Sequence, residues 1–204
     1  MRIIRPDGAP SWSISTSESL GLAVLLYIRD GLQIPHTAAL VFPSVTPTVP
    51  AAQTAPSRRL TEQWNQRWID ATGPGGNTDI GLESPTSQSF DDTPDLRTAY
   101  QQHLEAAARW FAPSRRDHVD HFRAERARGQ HNRAGELVTA WQETTGLEPA
   151  PFTLTIRFVP VEGRRTWQTG PLEYVVAQSL ARETEEFVGW VGPIVARAAA
   201  GDSA

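Results

Sequence analysis

The fold is decided by residues 152–161, FTLTIRFVPV, and by the apolar pattern that follows them. Apolar side chains alternate with others along this stretch, which predicts a half-buried β-strand, because successive strand side chains point to opposite faces. After a turn at Glu162 and Gly163, apolar residues recur at helical spacing from Pro171 to Ala200 and predict one long helix. They are Leu172, Val176, Leu180, Phe187, Val191 and Ile194. A strand and a helix would thus share a core.

The chain upstream of this stretch is mostly helical in pattern. Ser15 and Glu18 have the spacing of a capping box, and the helix after them is apolar on nearly every side, as expected of a central core helix. Further helical patterns begin near residues 58, 94 and 114, and another carries Leu137, Val138 and Trp141 and stops at Gly146. Pro113 is predicted to end the third helix. The sequence therefore predicts a helix-rich α+β fold, with about five or six helices packed on a small sheet that includes residues 152–161.

The chain is predicted to form a single globular domain over residues 1–204. Four prolines among small residues predict an extended connection over 43–57, because proline fixes φ and removes a hydrogen-bond donor. Glycine, serine and proline dominate residues 72–93, which indicates a flexible loop.

Two missing residue types exclude whole classes of chemistry. The chain has no cysteine, which excludes disulfides, thiolate metal sites and cysteine nucleophiles. All 19 basic residues are arginine, so a Walker A lysine and a Schiff-base lysine are excluded as well. Such complete use of arginine is typical of a GC-rich, actinobacterial-type genome.

Charge and hydropathy indicate the cellular location of the protein. The net charge of −4 does not favour a protein whose whole surface binds nucleic acid. The longest apolar run, from Leu20 to Ile28, is far shorter than the roughly 20 residues that a membrane span needs. We therefore expect a soluble, cytoplasmic protein that makes no membrane contact.

One helical face carries residues that could bind a metal ion. His118, His121 and Glu125 fall within an arc of about 60° at helical spacing. Two imidazoles and a carboxylate are suitable ligands for a divalent ion such as zinc. The spacing matches no specific zinc motif, and the competing interpretation is a solvated helix that happens to contain two histidines.

A second face of the same segment is cationic. Six arginines lie between Arg115 and Arg133 against three acidic residues. Arg115, Arg116, Arg123 and Arg126 share an arc of about 100°, where they could bind phosphate or an acidic partner. The competing interpretation is a solvated face whose arginines pair with neighbouring acids. Nucleic-acid binding is disfavoured because no helix-turn-helix, RRM or zinc-finger pattern is present.

These observations favour a non-enzymatic interaction protein: an adaptor, an inhibitor or immunity-type partner, or a subunit of a larger assembly. We expect a protein partner and no cofactor. Five tryptophans are candidate core or interface anchors: Trp12, Trp110, Trp141, Trp167 and Trp190. The first alternative is a metal-dependent enzyme that uses His118, His121 and Glu125. The second is phosphate or nucleic-acid binding through the arginine-rich segment.

Overall fold

A computed structural model describes residues 12–35, 42–73, 90, 92–128 and 133–202 of the chain. These residues form six helices and four strands, which confirms the predicted helix-rich α+β fold. Residues 74–89 and 91 lie outside the described part of the chain, and most of the loop predicted at 72–93 falls there.

The strands form one mixed sheet in the order β1-β2-β4-β3. β1, β2 and β4 are parallel, and β3 pairs antiparallel with β4. In the first pair, Ser13 lies opposite Thr153, so β1 pairs with a strand about 140 residues further along the chain. The strand bounds are Ser13–Glu18 for β1, Thr153–Val159 for β2, Thr166–Gly170 for β3 and Glu173–Ala177 for β4. The strand predicted over 152–161 is therefore confirmed as β2.

Four helices lie between β1 and β2, and two more follow β4. Their bounds are Leu20–Gly31 for α1, Arg58–Thr72 for α2, Pro94–Ala127 for α3, Arg133–Thr145 for α4, Gln178–Arg182 for α5 and Thr184–Ala199 for α6. The cap of α1 is Ser19, whose Oγ accepts a hydrogen bond from the Leu22 N–H. The predicted Ser15–Glu18 capping box is wrong, because both residues belong to β1.

The single long helix predicted between Pro171 and Ala200 is also wrong. Pro171 lies in the turn between β3 and β4, and the following residues form β4. Val175 packs into one core and Val176 into the other, so both faces of this strand are covered. A strand buried on both faces reads as a continuous apolar run, which periodicity cannot separate from a buried helix. Helix begins only at α5, and α6 then continues past Pro193.

α3 runs through Pro113, where the sequence predicted an end. Proline removes the hydrogen bond to the carbonyl of Arg109, four residues earlier. Both residues are exposed, so water can solvate that carbonyl. The helix consequently extends over 34 residues, or about 50 Å.

The sheet separates two apolar cores. The first contains α1, α2 and the first half of α3, with Val159 and Val175 from the sheet. The second contains side chains of α4, α5 and α6 with Leu154, Ile156 and Phe158 of β2. α1 is buried on nearly all sides, as predicted. Of the seven tryptophans, Trp64 and Trp68 are buried and the other five are half-buried, so none of them is a fully exposed interface anchor.

The connection over 43–57 contains no helix and pairs with the chain after β2 through an isolated bridge from Val45 to Val161. Arg29, at the end of α1, holds its beginning: Nη1 donates to the Phe42 carbonyl at 3.0 Å and Nη2 to the Pro43 carbonyl at 2.6 Å. Asp30 Oδ2 accepts from the Val45 N–H at 2.7 Å. The buried guanidinium of Arg29 thus holds in place a segment that belongs to no helix or strand.

Candidate functional site

The candidate site lies where α3 crosses the carboxyl ends of the parallel strands. In the sheet register, Glu18 of β1 lies beside Phe158 of β2, and Phe158 lies beside Val176 of β4. The middle of α3 passes over this edge, where Ser114 contacts α5 and His118 contacts Phe158. In open sheets with parallel strands, ligands commonly bind at this edge.

Four polar side chains form what we call the carboxyl-edge cluster: Glu18, Ser114, Arg115 and Gln178. The Ser114 hydroxyl donates to Gln178 Oε1, and Gln178 Nε2 donates to Glu18 Oε1 at 2.7 Å. Arg115 Nε lies 3.7 Å from Glu18 Oε2. Gln178 is 3 % exposed, so its amide is a fixed connection between α3 and β1.

The environment of Glu18 raises the pKa of its carboxyl to about 7. Burial is the main cause, because removing a carboxylate from water disfavours its charged form. The hydrogen bond from Gln178 and the charges of Arg115 and Arg182 act in the opposite direction and only partly offset burial. Glu18 therefore changes charge near neutral pH.

His118 lies one helical turn beyond Ser114 and is 4 % exposed. Its ring packs between Phe122 and Phe158, with centroid distances of 4.6 and 4.7 Å. Its Nδ1 is buried and makes no hydrogen bond to any residue that the structure describes. Burial lowers the pKa of the imidazole to about 4, assisted by the charges of Arg182 and His121. His118 is therefore neutral at physiological pH.

His121 and Glu125 lie on the same inward face of α3. His121 Nε2 is 3.4 Å from Glu125 Oε1, an ion-pair distance when the imidazole is protonated. Glu125 is 4 % exposed, and its Oε1 accepts a hydrogen bond from the Thr184 hydroxyl of α6 at 2.9 Å. This face of α3 is thus directed into the molecule, and the solvated-helix interpretation does not describe it.

The metal prediction at His118, His121 and Glu125 stays a prediction. The three side chains share one inward face, as their spacing requires. Within the described ranges, no group of three or more histidine, aspartate or glutamate side chains is arranged to hold a metal ion.

The cationic face of α3 borders a groove of about 430 Å³, which we call the α3 groove. Three of the four predicted arginines line it: Arg115, Arg116 and Arg123. Its apolar lining residues, which we call the floor, are Leu20, Ala108, Phe111, Ala112 and Val119. Asp120 also lines the groove and lies 3.3 Å from Arg123. The fourth arginine, Arg126, is exposed but does not line the groove.

Sequence reasoning missed the carboxyl-edge cluster. The sequence pattern assigns Glu18 to a capping box and gives Ser114 and Gln178 no role in a site. The residues lie far apart in the chain, and only the pairing of β1 with β2 and the path of α3 bring them together. The local signal for β1 is the pair Trp12 and Ile14, whose spacing of two residues indicates a brief strand.

Replacing His118 by leucine should make the fold less sensitive to acid. An imidazole with a lowered pKa contributes stability that is present above its ordinary pKa of 6.5 and is lost as the pH falls through about 4. Relative to the variant, the wild type should lose up to about 3 kcal/mol of unfolding free energy over that range. Urea unfolding at successive pH values measures the difference.

The control is leucine at Gln102, an exposed residue on the same helix that carries no titratable group. That variant should follow the wild-type pH curve. Parallel curves for the wild type and the His118 variant would show that the imidazole is equally free to protonate in the folded and unfolded states.

Comparison with protein-family models, curated proteins and solved structures finds no match. None of the helices in the described part of the chain is long and apolar enough to cross a membrane.

Proposed function

We propose that this chain is a non-enzymatic interaction protein of the cytoplasm whose α3 groove binds an acidic, amphipathic segment of a protein partner. The observation that carries the proposal is the combination of three arginines with an apolar floor in one groove. Arginine and apolar side chains together are typical of the centre of protein interfaces.

Charge supports an acidic occupant. The chain as a whole carries a net charge of −4, whereas three guanidinium groups and one carboxylate line the α3 groove. Arg116 has no ion-pair partner among the residues that the structure describes. An acidic segment would therefore meet an unmatched positive charge in a molecule that otherwise repels it.

The apolar floor favours a polypeptide over a nucleic acid. Val119, which lines the groove, is 36 % exposed, whereas most of the large apolar residues that the structure describes are buried. A phosphate backbone offers no side chains to cover such a surface, whereas an amphipathic helix places apolar residues between its acidic ones. We therefore propose a polypeptide partner, and the experiment below distinguishes it from a nucleic acid.

A larger hollow elsewhere does not share this character. It measures about 750 Å³ and lies beside α2. Its arginine, Arg58, donates to Glu62 at 2.7 Å, so the two charges cancel. The hollow therefore has space for a ligand, but the Arg58–Glu62 pair gives it no net charge that would favour an acidic or a basic partner.

The test is a selection of random peptides of about 16 residues displayed on phage. Enriched peptides should be acidic and amphipathic, and their affinity should fall with added salt. Replacing Arg116 and Arg123 by glutamate should weaken binding roughly 10- to 100-fold by reversing the charge of the groove.

The matched control replaces Arg58 and Arg197 by glutamate, which makes the same change in net charge at exposed sites outside the groove. Affinity should then stay within about twofold of wild type. Failure to enrich any peptide, enrichment of neutral or basic peptides, or equal losses in both double variants would overturn the proposal. Salt-dependent binding of a DNA oligonucleotide, lost only in the Arg116 and Arg123 variant, would assign the groove to nucleic acid instead.

A further inference from the structure

Arg115 belongs to the α3 groove and to the carboxyl-edge cluster at once. It lines the groove, and its Nε lies 3.7 Å from Glu18 Oε2. The arginine side chain is 63 % exposed, while that of Glu18 is 9 % exposed. A largely exposed cation therefore lies next to a buried carboxyl.

We propose that Glu18 controls the charge of the α3 groove: its ionised carboxylate holds and neutralises Arg115, and its protonation releases Arg115 to an acidic partner. This inference rests on the proposed function. Its consequence is that the partner binds more tightly as the pH falls.

The arrangement favours this coupling because a hydrogen-bond network holds Glu18 in its position. Its Oε1 accepts from Gln178 Nε2, and Gln178 is itself held by the Ser114 hydroxyl. Oε2 thus remains directed toward the guanidinium. Arg115, by contrast, has a long and largely exposed side chain that can reach either Glu18 or a partner bound in the groove.

The change in the charge of the α3 groove is large relative to the net charge of the residues that line it. Arg115, Arg116 and Arg123 with the Asp120 carboxylate carry two net positive charges. An ionised Glu18 reduces them to one. At separations of several ångströms in a solvent-exposed groove, one unit charge changes an affinity roughly three- to tenfold.

The carboxyl of Glu18 changes its protonation state near neutral pH. The pKa of Glu18 is raised to about 7 by burial, against the charges of Arg115 on α3 and Arg182 on α5 and the hydrogen bond from Gln178. Its neighbour in the sheet, Phe158, is apolar, and so is Val176, which lies beside Phe158 on the far side. His118, one helical turn beyond Ser114 on α3, stays neutral above about pH 4 and does not overlap this transition.

The first measurement needs no partner. NMR follows the Glu18 carboxyl carbon and the Arg115 Nε resonance of the full chain during a pH titration. Both should move with one midpoint near 7. In the Glu18→Gln variant, the Arg115 resonance should stay constant. An Arg115 resonance that ignores the Glu18 transition, or titrates unchanged in the variant, overturns the inference even if peptides bind.

The second measurement uses a phage-selected acidic peptide at constant ionic strength. Wild type should bind roughly three- to tenfold more tightly near pH 6 than near pH 8. Glu18→Gln should bind equally at both pH values, with the affinity that wild type shows near pH 6. Glu62→Gln, an exposed control outside the groove, should keep the wild-type pH dependence. A pH dependence that survives Glu18→Gln contradicts the inference, whereas the absence of any selected peptide contradicts the proposed function alone.

Discussion

Replacing Trp64 by alanine is expected to lower the free energy of unfolding by about 3–5 kcal/mol, because it opens a cavity in the first core. Trp64 is 1 % exposed and stacks on Trp68 with a centroid distance of 5.3 Å. Its indole N–H donates to the Leu25 carbonyl of α1 at 2.8 Å. The substitution removes both the ring and this connection between α1 and α2. Urea denaturation followed by circular dichroism measures the loss.

Alanine at Trp141, a half-buried tryptophan of α4, provides the comparison. Its loss should be clearly smaller, since less of the ring is removed from water. Phenylalanine at position 64 keeps most of the apolar volume and should retain more than half of the stability that alanine loses. Equal losses for Trp64→Ala and Trp141→Ala would contradict the assignment of Trp64 to the centre of the core.

Replacing Arg29 by methionine is expected to cost about 3–5 kcal/mol, since the loss of one member of a buried ion pair leaves uncompensated polar groups. Arg29 is 3 % exposed, and its Nε lies 2.5 Å from Asp30 Oδ1. Methionine keeps most of the length but leaves the carbonyls of Phe42 and Pro43 without their donors. Chemical denaturation gives the stability, and limited proteolysis within residues 43–57 reports whether the connection has come loose.

The control is methionine at Arg164, which pairs with Glu183 and Glu186 on the surface. Surface ion pairs of this kind contribute about 1 kcal/mol or less. A loss at Arg29 no greater than that at Arg164, or unchanged proteolysis of 43–57, would show that the connection is held by its other contacts.

Local patterns predicted the elements whose side chains alternate in type or stay apolar over a long run. β2 was predicted from the alternation of its side chains, and α1 from an apolar run ended by a glycine. β4 was not, because Tyr174, Val175 and Val176 are all buried, and a strand covered on both faces loses its alternation. Pro113 was predicted to end a helix because sequence does not show that the freed carbonyl is exposed to water.

The same distinction applies to the site. His118, His121 and Glu125 could be grouped from helical spacing alone, and so could the arginines, because each set lies on one element. Glu18 could not be joined to Arg115 or Gln178, since their contact depends on which strands pair and in which register. The direction of the histidine face could not be predicted for the same reason. Spacing shows which side chains share a face, but the neighbouring elements decide whether that face is buried or exposed.

The parallel pairing of β1 with β2 has a consequence for synthesis on the ribosome. At roughly 5–20 residues per second, the 140 residues that separate the paired positions take roughly 7–28 s to translate. During that time β1 has no partner in the sheet, and four helices emerge before their sheet exists. The nascent chain therefore exposes apolar helix faces until β2 and β4 have left the exit tunnel, and a chaperone that binds such faces would act on the first 150 residues.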